Sequence, residues 1–153
     1  MYPQNLVTDA KIRNEIEVLL NEHAWLIDNH KCETIADLYT ADGKMVGAGH
    51  DTVGRAALTE WGVNRAKMGK RQARHVLGNM RLVSVGPKLM HGTTIVTLYR
   101  HDGADAGKPE AVAIADLHDT YELCDDGRWR IKVRDIKTIF ESDTLKAQLA
   151  AAK

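Results

Sequence analysis

The chain has 153 residues, of which 44% are hydrophobic, and its 21 Lys and Arg balance its 21 Asp and Glu. That length gives one domain able to bury a core and line a small pocket, and the balanced charge offers no field for nucleic acid or an anionic membrane surface. Small molecules and protein partners are the classes that remain.

From Thr8 to about Ile27 the apolar residues Ile12, Ile16, Leu19 and Leu26 recur at helical spacing, with Thr8 or Asp9 able to cap the start. His23 falls on the same stripe and is expected to face inward with the leucines. Asp28 ends this helix directly after Leu26-Ile27, where a carboxylate meets the negative end of the helix dipole at a cost of up to ~1 kcal/mol. A compensating partner is therefore expected. A second short helix is predicted over Cys32 to Tyr39, then a turn at Ala41-Asp42-Gly43 and a short strand from Lys44 to Ala48. Gly54 to about Lys67 reads as a third helix carrying Ala57, Leu58 and Trp61.

The second half changes character. Arg74–Val85, Gly92–Arg100, Ala111–Leu123 and Trp129–Phe140 are rich in Val, Ile, Thr and Tyr and predict an antiparallel meander. The breaks are Gly86-Pro87, His101-Asp102-Gly103 with a polar stretch to Pro109, and the hairpin signal Asp125-Asp126-Gly127. The Ala-rich tail from Ser142 to Lys153 reads as a terminal helix or a frayed end. Helices first and a long sheet afterwards predict a single α+β domain over residues 1–153, with its core at about 10–140. In it a curved antiparallel sheet packs on the N-terminal helices and encloses a pocket. His75 lies near the start of the first strand-like run, RHVLGNMRLVSV. If the fold brings it to Asp28, the two form a carboxylate–imidazole pair, a common arrangement for moving a proton.

Cys32 and Cys124 lack metal-type spacing, so neither a disulfide framework nor a zinc site is indicated. The seven histidines include no HExxH pair, and Gly47-Ala48-Gly49 lacks the strand–helix context of a dinucleotide loop, so neither a metal nor a cofactor is expected. No run approaches ~20 apolar residues and the N-terminus shows no signal-peptide core, which makes the cytoplasm the expected location.

Taken in order, HAWLIDNHKCETIADLYTADGKM, GRAALTEW, RHVLGNMRLVSV and LHDTYELCDDGRWRIKVRDI resemble a SnoaL-like member of the nuclear transport factor 2-like superfamily, over roughly residues 10 to 140. The resemblance implies an α+β cone. The superfamily includes scytalone dehydratase, bile-acid 7α-dehydratase, hexachlorocyclohexane dehydrochlorinase and polyketide cyclases, besides members without a known reaction. A cofactor-independent lyase of dehydratase type is the activity it implies, on a small, mostly apolar cyclic or carbonyl-activated substrate. An isomerase or cyclase using the same base, or a non-catalytic binding or assembly module, are the alternatives.

By the same resemblance Asp28 and His75 are the general acid–base pair, and Arg134 on the last strand joins the pocket. Arg100, Asp116 and His118 match polar positions of the middle strands, and Trp61 is counted with the substrate-binding residues. His23 replaces a tyrosine one turn before Asp28, and a further pocket tyrosine falls on Gly47, so scytalone itself is not the expected substrate. Plainer readings stand beside these: a hydrogen-bonded core histidine for His23, a solvated face of alternating charge for Arg134, and a surface ion pair for Asp116. Asp119 and Tyr121, on the opposite parity, are expected at a subunit interface or in solvent. A homodimer or homotrimer is implied, since the outer sheet face would otherwise expose apolar side chains.

Overall fold

In the computed structural model, which describes residues 3–151, the first helix, α1, spans Ala10–Asp28. Asp9 caps it: its carboxylate accepts the Ile12 N–H at 2.9 Å, satisfying one of the donors that every helix start leaves open. The stripe of Ile16, Leu19, Leu20, His23, Leu26 and Ile27 is buried. After Asn29 the chain turns at His30, whose φ of 56° ends the helix, and Cys32–Leu38 forms a 3-10 helix.

The remaining elements are β1 (Tyr39–Gly47), β2 (His50–Val53), α2 (Gly54–Ala66), β3 (Arg71–Gly86), β4 (Leu89–Asp102), β5 (Ala113–Leu123), β6 (Trp129–Glu141) and α3 (Asp143–Ala151). Two differ from the sequence reading. Ala41-Asp42-Gly43 does not separate a helix from a strand but lies inside β1, as an irregularity where pairing with β6 slips between Tyr39 and Lys44. A Cβ at Gly43 would lie 2.8 Å from the Tyr39 Cβ, so the tight path there needs glycine. β2 is the second difference, four residues too short to show a period.

Six strands form one curved sheet in the order β2-β1-β6-β5-β4-β3. β3 to β6 make the expected antiparallel meander, while β1 joins β6 in parallel. The helices cover the concave face, and Ile16, Ile35, Leu58, Leu82 and Ile131 are fully enclosed between the layers. Burial of such side chains contributes roughly 1.5–3 kcal/mol each. Towards the α3 end the layers part, leaving a cavity of about 370 Å³ walled by side chains such as Leu20, Leu77, Val96, Leu117 and Ile136. No helix among the described residues is long and apolar enough to cross a membrane.

Candidate active site

Asp28 and His75 meet. The carboxylate's Oδ1 lies 2.6 Å from His75 Nδ1, and its Oδ2 accepts the His75 backbone N–H at 2.8 Å. β3 is an edge strand, so this N–H has no ladder partner on that side and needs an acceptor. Asp28 therefore covers an open donor and orients a ring at once, and the two bonds offset the poor position of a carboxylate at a helix C-terminus. Asp28 is nearly enclosed, with 9% of its side chain exposed, whereas His75 keeps 23% and lines the cavity. Among the described residues no hydrogen bond engages His75 Nε2. A proton on Nδ1, shared with the carboxylate, would leave the lone pair on Nε2 of a ring that borders the cavity.

Deeper in, Arg134 and Asp119 are cross-strand neighbours on β6 and β5. Arg134 donates from Nε (3.0 Å) and Nη2 (2.7 Å) to the two Asp119 oxygens, and the Tyr121 hydroxyl donates to Oδ2 at 2.7 Å. Burial works against the guanidinium's charge, but Asp119 outweighs it and raises the Arg134 pKa, so the cation is secure. Both bonds leave from one edge, so the Nη1 group is not used by Asp119, and Arg134 borders the cavity. His23 is buried beside it, with Nε2 2.9 Å from the Tyr39 hydroxyl. Burial, with the Arg134 charge adding to it, holds His23 well below the ordinary histidine range, so it serves as a neutral hydrogen-bonding group. Burial likewise raises the Tyr39 and Tyr121 phenols.

Of the other expected residues, Arg100 and Trp61 border the cavity, with Trp61 edge-on to His50 at a ring separation of 5.6 Å. Asp116 and His118 do not. Ala113, Ala115 and Leu117 supply the β5 wall, and because successive strand residues alternate faces, Asp116 and His118 point to the outer side. The same parity overturns the placement of Asp119 and Tyr121 in an interface or solvent: both are buried inside. Sequence reading also left Tyr39, His50 and Arg65 without a role in the site. Arg65 had a signal, since Leu58, Trp61, Gly62 and Arg65 follow the i, i+3, i+4, i+7 spacing of a buried helix stripe.

Both cysteines are free, and burial pushes the Cys32 thiol up to about 11, which keeps it protonated and unreactive. Among the described residues no group of three or more His, Cys, Asp or Glu is placed to hold a metal ion.

Helices packed on a curved sheet around a cavity make a cystatin-like fold, shared with a nuclear transport factor 2-like protein from Novosphingobium aromaticivorans at 22% identity and a TM-score of 0.69 over 88% of this chain and 86% of that one. Within that fold the chain belongs to the SnoaL-like domain family, whose model matches residues 8–135. The fold is shared with a protein from Novosphingobium aromaticivorans named for scytalone dehydratase, at 19% identity and a TM-score of 0.74 over 90% of this chain and 91% of that one. ActVI-ORFA from Streptomyces coelicolor superposes at a TM-score of 0.72 with 19% identity, over 84% and 98% of the two chains. LinA does so at 0.69 with 20% identity, over 85% and 87%. No curated protein sequence matches the chain.

Proposed function

We propose that the protein is a cofactor-independent lyase that eliminates water from a small, mostly apolar cyclic or carbonyl-activated substrate, with Asp28 and His75 as its acid–base pair. One observation carries this reading: both oxygens of Asp28 are spent on His75, which leaves the far ring nitrogen as the base at the wall of a mainly apolar cavity. His75 Nε2 takes the proton from the carbon next to the activating group, and the electron pair of that C–H bond forms the new double bond. The C–O bond to the departing hydroxyl breaks, and the imidazolium returns its proton to that oxygen, releasing water and restoring neutral His75. Asp28 stabilises the imidazolium while it lasts. Arg134, through the amino group that Asp119 does not use, and neutral His23 steady the negative charge that develops on the activating carbonyl. That one structural neighbour is named for a dehydratase supports the choice of elimination. An isomerase would share the first step and return the proton to another carbon, whereas in a cyclase the carbanion would attack a second carbonyl of the same molecule, whose oxygen then takes the proton.

The test separates proton removal from loss of the hydroxyl. A panel of cyclic β-hydroxy ketones is incubated with the protein in deuterium oxide, and NMR tracks both alkene formation and deuterium uptake next to the carbonyl. The wild type is expected to show both, and His75→Ala to lower both by at least ~10²-fold. Equal activity in a folded His75→Ala variant would end the proposal, and deuterium uptake without alkene would transfer it to an isomerase or cyclase.

A further inference from the structure

Four arginines border the cavity: Arg65, Arg71, Arg100 and Arg134. Three of them grip carboxylates, two of them sharing one, so that the shared cluster keeps a net positive charge. Arg71 and Arg100 both grip Asp102, each through two nitrogens at 2.7–3.2 Å, and Arg134 grips Asp119. Arg65 is different. It is 7% exposed, yet among the described residues it has no carboxylate within ion-pair distance, and its side-chain hydrogen bond runs from Nη1 to His30 Nδ1 at 3.3 Å, an imidazole nitrogen. The Asp28 carboxylate lies in electrostatic reach, but both its oxygens are occupied by His75.

A guanidinium has five donors in a planar fork that matches a carboxylate, and a buried charge left without a counter-charge is unfavourable. The remaining Arg65 nitrogens are not sealed in protein, since Thr94 Oγ1 is the one buried side-chain polar atom among the described residues without a partner. They keep some accessible surface, and Arg65 is among the residues that border the cavity. Burial lowers the Arg65 pKa, the direction expected of a cation awaiting its anion.

We infer that Arg65 is the anchor for a carboxylate carried by the ligand, so that the site takes small apolar acids in preference to neutral molecules. This names the substrate class for the cavity and rests on the reading of that cavity as the reaction site. The chain brings the two functions together: Asp28 holds the base, and His30, two residues on, braces the anchor. An acid bound through Arg65 lays its apolar body along the cavity wall towards His75.

The experiment reads binding alone, so its outcome does not depend on turnover. Isothermal titration at low ionic strength compares 2-naphthoate with the uncharged 2-naphthamide, on the wild type, Arg65→Gln, Arg65→Lys and His75→Ala. The acid is expected to bind the wild type at least about ten-fold more tightly than the amide. Arg65→Gln should erase that preference while changing the amide's Kd less than about two-fold, and Arg65→Lys should keep part of it. His75→Ala should keep the preference while losing chemistry, which separates failure of the anchor from failure of the base. Should Arg65→Gln not fold, the Arg65 Nε–H resonance of the wild type must still shift with the acid and not with the amide. Equal binding of acid and amide, no binding of the acid at millimolar concentration, or an acid preference that survives in Arg65→Gln would each overturn the inference.

Discussion

Asp28 accepts two bonds from one residue, and the Asp28→Asn substitution pulls its two roles apart. The amide can still accept the backbone N–H, but its NH2 no longer holds a proton on Nδ1, so the ring is released to the other tautomer. Turnover is expected to fall by roughly 10²–10⁴-fold, with the urea midpoint close to wild type; a normal kcat would mean that the ring needs no such orientation. Asp119 is a case of stability. Asp119→Ala leaves the enclosed Arg134 charge without its partner, and a loss of about 3–5 kcal/mol is expected in equilibrium unfolding. The pair replacement Asp119→Leu with Arg134→Met should recover much of it. His23 sets a pH dependence. Burial, with the Arg134 charge, depresses its folded-state pKa, and burial depresses that of His50, whereas unfolding returns both to about 6.5. The unfolded state then binds more protons, so stability falls as pH drops below about 6.5 and continues to fall until the folded-state values are passed. Urea midpoints between pH 7.5 and 5 should show this decline above the range of ordinary carboxylates, and His23→Gln should flatten it, leaving the share of His50.

Among the elements, α2 packs against the 3-10 helix through Gly62, where an added Cβ would lie 2.1 Å from the Cys32 carbonyl oxygen. Propensity alone would make Gly62→Ala stabilising by ~1 kcal/mol. The contact with backbone reverses the sign, and a loss of about 1–3 kcal/mol is expected by urea unfolding. Periodicity exposed the helices and long strands because each carries several turns or alternations. A carboxylate at a helix C-terminus asks for a partner, which made Asp28 readable, but the choice of His75 came from the resemblance, since their meeting across the edge of β3 depends on topology that no local pattern contains. The face of β5 was readable and was misread. Ala113, Ala115, Leu117 and Tyr121 form an apolar set opposed to Asp116, His118 and Thr120, and Asp119 within that set disguised it, since its partner Arg134 lies on another strand. Arg65 closes an apolar stripe whose spacing marks it as inward-facing, but the cavity beside it comes from the fold and from no local pattern.

At the scale of the whole molecule, the outer sheet face carries a row of directly paired residues, Val76, Thr97, Ile114 and Phe140, across β3, β4, β5 and β6. Val76 is 55% exposed and Phe140 65%. We propose that further copies of the chain cover this row, as a dimer or trimer. Sedimentation velocity at micromolar concentration should then show an oligomer that Phe140→Lys disperses without unfolding, and a monomeric wild type would contradict it. The proposed chemistry, by contrast, depends on one lone pair inside a single chain. Nitrogen-15 NMR of the His75 imidazole reads it directly and needs no substrate. In its neutral form the ring is predicted to carry its proton on Nδ1, against Asp28, with Nε2 unprotonated and shifted by ligands that enter the cavity. A proton found on Nε2 would mean that no base faces the cavity there, and would contradict the assignment.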